Sequence, residues 1–449
     1  MTDPARTKGR LAAAGALLSA LGIAAVAAIV LHRPEPRLAM AMTGTGDARH
    51  GAYVAVLGDC AACHTAPGGT PLTGGVPLET PMGVLYSSNI TPASRTGIGR
   101  YTFVDFVRVM RYGVRPDGTR LYPAMPYTAY ARMSDGDLRD LYAYLRQDVV
   151  PVEQATRPST MRWPFDMRWP LALWNLAFHH PAPFRPDPTR DAQWNRGAYL
   201  VTGPAHCGTC HTPRGLAFQE AGLDEHAQRF LSGSAFAGAS PVDLRGDGAV
   251  AGWPAADIAT ELKTGRNRAS AVSGPMGEVV EHSTRYMSMA DLDAVAVYLK
   301  SLSPASAGRP LRFAPSGETM AAFMAARPAG RGARLYMDSC AACHRLSGLG
   351  EENTFPRLAG NPLVLERNPD SLITVVLGGA RMPSTAGAPT GLAMPPFGWR
   401  YGDADIAKLV TFIRTGWGNN APAVSEGEVR AVRRHLADTM AYTQPQSGQ

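Results

Sequence analysis

One five-residue device occurs three times in this 449-residue chain: CAACH at 60–64, CGTCH at 207–211 and CAACH again at 340–344. All six cysteines lie in these motifs, so none remains for a structural disulfide. Two thiols three positions apart on a helical turn can each add to a vinyl group of one porphyrin. The adjacent histidine then lies under the ring and reaches its iron. C-x-x-C-H is accordingly the attachment pattern of a c-type haem. Other uses of C-x-x-C fit less well. Zinc would want a second pair or paired histidines nearby, and each motif stands alone in its surroundings. A thioredoxin-type dithiol would sit on a strand–helix–strand pattern, which is absent.

The motifs are framed alike, which marks an internal repeat. A helix-like lead precedes each: HGAYVAVLGD, RGAYLVTGPAH and RGARLYMDS. Gly51, Gly197 and Gly332 stand 9, 10 and 8 residues ahead of Cys60, Cys207 and Cys340. Further on, DFVRVMRYG (105–113), DIATELKTG (257–265) and DSLITVVLG (370–378) each start with Asp and end with Gly. Asp can accept orphan N–H groups at a helix start, and Gly suits the left-handed residue that ends a helix. A third element, SDGDLRDLYAYLR (134–146), SMADLDAVAVYLK (288–300) and GDADIAKLVTFIR (402–414), has an acidic start and a basic end that suit the helix dipole.

Helical periodicity, Pro-rich joins and no long alternating stretch predict an all-α fold of three tandem domains. Their spans are 45–150, 190–305 and 328–420. Between them lie a Pro/Trp-rich linker at 151–189 and a second linker at 306–327, with 421–449 as a C-terminal tail. The fifth iron ligands are then His64, His211 and His344. A methionine recurs between middle and closing helix: Met125, Met276 and Met394 follow Gly113, Gly265 and Gly378 by twelve, eleven and sixteen residues. A thioether on a Pro/Gly-stiffened loop suits the sixth position, where His/Met ligation raises the potential. Rivals are Met382 in the third repeat and Met287 and Met289 in the second. His206, His179 and His180 receive no ligand role.

The N-terminus carries Arg6, Lys8 and Arg10 ahead of residues 11–31, which hold no charge in 21 positions. That length reads as a membrane-spanning anchor. A long signal peptide is the alternative, with small residues at 39–41 for cleavage. Either way residues 1–44 are an anchor or signal segment. The basic end stays in the cytoplasm and the rest reaches the periplasmic face of the membrane. Net charge is +7, but Lys is scarce (Lys8, Lys263, Lys300 and Lys408) and Arg is scattered, so nucleic acid is not an expected partner. The stretch RWPFDMRWPLALWNLAF (162–178) interleaves three Trp with Arg162 and Arg168. It suits either a membrane interface or a packed linker helix.

Several ordered stretches resemble the three-haem cytochrome c subunit of bacterial membrane-bound sugar, polyol and alcohol dehydrogenases: GDCAACHT, TPMGVLYSSNITP, YPAMPY, RGAYLVTGPAHCGTCHTPRG, SGPMGEVVEHSTRYMSMADL, FPRLAGN and MPPFGWRYGDADI. The resemblance covers about 45–420. It implies three class-I-like cytochrome c domains and three haem c groups. Cys60, Cys63, His64 and Met125 would hold the first. Cys207, Cys210, His211 and Met276 would hold the second, and Cys340, Cys343, His344 and Met394 the third. It further implies a large flavoprotein or quinoprotein dehydrogenase partner, a small subunit beside it, and delivery of electrons to membrane ubiquinone at the bilayer. No dinucleotide fingerprint, metalloprotease motif or nucleophile elbow occurs, so substrate chemistry belongs to a partner. Two other classes stay open at this level. One is a haem enzyme with an open sixth position. The other is a free-standing carrier to a terminal oxidase.

Overall fold

In the computed structural model, residues 17–19, 21–22, 24–32, 34, 45–235, 239–246, 250, 252–304 and 313–443 are described. Three crossings of leading and closing helices carry the architecture. The leading helices are Ala48–Leu57, Ala192–Thr202 and Gly330–Ser339. The closing helices are Asp135–Gln147, Met289–Ser301 and Asp403–Thr415. Ser134 and Ser288 cap two closing helices, accepting from the N–H of Asp137 and Asp291 at 3.0 and 3.1 Å. The third starts at Gly402 without a side-chain cap and relies on Asp403 and Asp405 in its first turn.

The leading glycines explain themselves at these crossings. A side chain at Gly51, Gly197 or Gly332 would collide with the carbonyl of Asp140, Ala294 or Lys408. The Cβ atoms of Tyr144, Tyr298 and Phe412 close the same three gaps. The residue before each glycine reaches an acid on the closing helix. His50 Nδ1 lies 3.9 Å from Asp137 and 2.9 Å from Asp140. Arg196 meets Asp291 and Arg331 meets Asp405, each at 2.7 Å.

The middle helices are Phe103–Tyr112, Ala255–Thr264 and Asp370–Gly378. Gly113 (φ 61°) and Gly265 (φ 82°) end the first two in the left-handed region. In the third, Gly378 is still helical and Gly379 ends the helix at φ 77° with an extended ψ of -179°, a different conformation that also favours glycine. The expected Asp caps are displaced too. Asp105 sits third in its helix and completes a capping box with Thr102, and Asp257 is likewise third.

By compactness the chain divides into two units, Met1–Gly51 with Thr73–Pro183, and Ala52–Leu72 with Phe184–Gln449. The expected 45–150 domain is therefore divided. Its 52–72 stretch goes with the second unit because Leu57 is fully buried in that unit's core and Tyr53 packs against it. The first unit buries Phe106, Val107, Met110, Tyr127, Leu138 and Leu141. Part of the expected 151–189 linker belongs to this core. Helix Pro170–Phe178 buries Ala172, and its Asn175 accepts from Tyr127 Oη at 2.8 Å and donates to the Tyr112 carbonyl at 3.1 Å.

The second unit holds two cores. One surrounds Ala192–Thr202 and Met289–Ser301, the other Gly330–Ser339 and Asp403–Thr415. They are joined by Ser240 N–H donating to Ser371 Oγ at 2.6 Å and Arg357 N–H donating to the Ala269 carbonyl at 3.1 Å. Two segments read as linker and tail belong to the latter core. Helix Glu318–Met324 buries Phe323, and helix Glu426–Thr443 buries Val429 and Val432.

Among the described residues the fold is mostly helical, with two small antiparallel additions. Pro77–Thr80 pairs with Gly83–Tyr86, and Ala380–Arg381 pairs with Ala393–Met394. Of the uncharged segment 11–31, residues 17–19, 21–22 and 24–31 are helical and the rest lie outside the described residues. No helix among the described residues is long and apolar enough to cross a membrane.

Candidate functional site

Each C-x-x-C-H forms a short helical turn, at Cys60–His64, Gly208–His211 and Ala341–His344. All six thiols are free. Burial pushes Cys60, Cys207 and Cys340 up to about 12 and Cys63 up to about 11. Nearby acidic groups and partner thiols push the same way. A redox dithiol depends on a depressed nucleophile pKa, so these neutral thiols do not suit that role. Among the described residues no group of three or more His, Cys, Asp or Glu is placed to hold a metal ion.

Two histidines are oriented by the backbone. His211 Nδ1 donates to the Val242 carbonyl at 2.8 Å, and His344 Nδ1 donates to the Pro356 carbonyl at 2.9 Å. A carbonyl only accepts, so the Nδ1 proton is fixed and Nε2 keeps its lone pair for a metal. Burial also holds both imidazoles below the usual histidine range, in the neutral form that ligation needs. The donor set of free thiols, neutral Nε2 and thioether fits a c-type haem. Val242 and Pro356 escape sequence reasoning because a main-chain acceptor has no residue signature. Pro356 does lie in the FPRLAGN stretch.

Met276 is half-buried in the first turn of helix Gly274–His282. Its rivals are placed differently. Met287 is 1% exposed inside the core, and Met289 is exposed at the start of the closing helix. Met394 lies on a strand opposite Ala380 and packs partly against the third core. Met382 receives an Arg266 N–H on its sulfur at 3.9 Å. In the first unit Met125 is half-buried in a tight turn, its N–H donating to Tyr122 and its carbonyl accepting from Tyr127. His64, on the 60–64 turn, is half-buried in the second unit.

Within the second unit the sites are neighbours. Helix Gly274–His282, which carries Met276, packs against the 60–64 turn and against the strand that pairs with Met394. Cys63 and Cys210 are near enough to act on each other electrostatically. His206 has no ligand geometry of its own. It is bonded to the Gly58 backbone, and burial lowers it to about 4. Asp59, left-handed at φ 46°, is buried with Oδ1 unpartnered, and burial with Glu278 pushes it up to about 8. Ser283 Oγ donates to the Val56 carbonyl at 2.7 Å, and Tyr53 Oη donates to Asp291 at 2.6 Å. His179, also without an assigned role, is buried and donates to the Arg111 carbonyl at 2.7 Å.

The cytochrome c family description matches residues 329–417. The cytochrome c subunit of a quinone alcohol dehydrogenase from Gluconacetobacter polyoxogenes is 46% identical over 413 residues, covering 88% of this chain and 86% of that one. The gluconate 2-dehydrogenase cytochrome c subunit of Pantoea cypripedii is 43% identical, over 86% of this chain and 89% of its own. The fructose dehydrogenase cytochrome subunit of Gluconobacter japonicus is 36% identical, over 85% and 82%. The chain belongs to the family of cytochrome c subunits of dehydrogenases that these relatives represent.

Proposed function

We propose that this chain is an electron-transfer subunit with three covalently bound haem c groups in three tandem class-I-like domains. It takes electrons from a flavoprotein or quinoprotein dehydrogenase partner and delivers them to ubiquinone at the periplasmic face of the cytoplasmic membrane. The observation that carries the reading is the threefold glycine crossing. A glycine packed against a closing-helix carbonyl stands ahead of each of Cys60, Cys207 and Cys340, which supports reading the three motifs as one repeated device.

Haem c, when bound, supplies a one-electron ferric/ferrous couple. The chain's residues do the rest. Cys60, Cys63, Cys207, Cys210, Cys340 and Cys343 tether the groups. His64, His211 and His344 serve as fifth ligands, the last two oriented by Val242 and Pro356. Met125, Met276 and Met394 serve as sixth ligands. Packing of the Met276 helix against the 60–64 turn supports short-range exchange between the first and second sites.

The test is a haem count per chain on the purified complex, with near-infrared spectra. Three haems and three sulfur-to-iron contributions are expected, and Met125→Ala, Met276→Ala and Met394→Ala should each remove one. A single haem per chain would sink the reading. So would a high-spin, CO-binding haem in the native reduced protein. Reduction through the substrate-loaded partner and reoxidation by a soluble ubiquinone analogue complete the assignment.

A further inference from the structure

The uncharged N-terminal segment has no part in the haem sites, yet the first unit is built to hold its end. Leu17, Leu18, Leu21 and Leu31 are 58–78% exposed on its helical residues, so the apolar surface is uncovered. Its C-terminal end is fastened. Arg120, itself 7% exposed, donates through Nη2 to the carbonyls of Ile29 at 3.3 Å and His32 at 2.9 Å. Arg108 donates through Nε to the Pro34 carbonyl at 3.1 Å. The last carbonyls of a helix are orphan acceptors, and a cation there also meets the negative end of the dipole.

The clasp is continuous with the exposed aromatic segment. Arg168 Nη1 donates to the Arg120 carbonyl at 3.1 Å and stacks 4.1 Å over the Tyr122 ring. Tyr122 Oη donates to the Phe165 carbonyl. Around Arg168, Trp163 is 78%, Phe165 50% and Trp169 47% exposed. Trp and Arg at the end of an uncharged helix are the composition of a membrane–water interface. Cleavage after Ala41 would remove both carbonyls, and with them the acceptors that hold the Arg120 guanidinium.

We infer that residues 1–44 stay on the mature chain, that the apolar helix lies in the lipid bilayer, and that Arg120 is the clasp that docks it to the first unit. Trp163, Phe165 and Trp169 then rest at the same interface. The basic Arg6, Lys8 and Arg10 face the cytoplasm. The inference does not depend on the number of haems.

The first measurement uses the wild-type chain, extracted in detergent from membranes and read by intact mass and N-terminal sequencing. An N-terminus ahead of residue 11 is expected, and one between 40 and 45 overturns the inference. Membranes from cells lacking the partner subunits are then washed with alkaline carbonate. Retention of the chain is expected. Release with an intact N-terminus means that a protein partner covers the helix, which overturns the lipid assignment. Finally, Arg120→Ala should raise protease cleavage within 32–45 at least tenfold with the haem absorption spectrum unchanged, and Arg120→Lys should raise it less. Cleavage equal to wild type in both removes the clasp.

Discussion

The second and third helix crossings use the same plan in different company. Each buries an arginine fully: Arg245 donates to the carbonyls of Ser303, Ala227 and Phe230, and Arg414 to those of Pro422, Val364 and Arg367. Each also has an ion pair just before its glycine. In the second crossing that pair is shared. Asp291 is 7% exposed and takes two bonds from Arg196 and a third from Tyr53 of the 52–72 stretch. In the third, the Arg331–Asp405 pair is more exposed, its side chains keeping 48% and 28% of their surface. One repeat position thus acts as a joint between elements in one copy and as a surface pair in the other. Identical frames do not make identical roles, because the role is set by what else reaches the same carboxylate.

The part the two crossings share should be the hardest to change. Gly197→Ala and Gly332→Ala each drive a Cβ into a backbone carbonyl of the closing helix, and neither helix can move without its core. A loss of about 3 kcal/mol or more is expected at both positions. Thermal melts of the haem-loaded protein measure it. If one variant melts within a few degrees of wild type, the two crossings are not equivalent and the common frame is wrong.

The leading, middle and closing helices were legible in the sequence because they recur with helical spacing, acidic starts and glycine ends. What lay outside the repeat was lost. Helix Glu426–Thr443 carries its own signal, with Val429, Val432 and Leu436 on one stripe and Glu426 and Glu428 in the first turn. It had no counterpart in the other copies and was read as a tail. The Tyr53–Asp291 bond joins residues 238 positions apart, and no local pattern foretells it. The C-x-x-C-H residues of the candidate sites were readable because the chemistry fixes both type and spacing. The orienting carbonyls of Val242 and Pro356 were not, since any residue can supply one.

The shared carboxylate separates the crossings more finely. Asp291→Asn leaves the Arg196 guanidinium without its charge partner in a partly buried place, and about 2–3 kcal/mol of stability should go. Asp405→Asn should cost less, about 0.5–1 kcal/mol in the same urea titration, because its pair is more exposed and only the first-turn charge and a screened ion pair are lost. A double-mutant cycle of Asp291→Asn with Tyr53→Phe should give a coupling of about 1 kcal/mol. Equal losses at 291 and 405 would mean that the joint adds nothing.

The smallest contrast is inside the middle helices. Glu261 and Thr374 occupy the same repeat position, and each buries an oxygen without a hydrogen-bond partner. Only Glu261 titrates. Burial, its largest perturbation, pushes it up to about 8 from the usual carboxylate range. The folded chain therefore holds a proton there that the unfolded chain releases above the ordinary value of 4.5. Stability falls as pH rises between those two values, by at most about 1.4 kcal/mol per pH unit, and is flat above. Glu261→Gln should remove that slope, leaving a gain of about 1–2 kcal/mol at pH 8 and none at pH 4. Thr374→Val removes an unpaired hydroxyl and should gain about 0.5–1 kcal/mol equally at both pH values. Chemical unfolding at pH 4, 6 and 8 separates them. A gain from Glu261→Gln that does not change with pH would place its proton elsewhere and make the two positions alike.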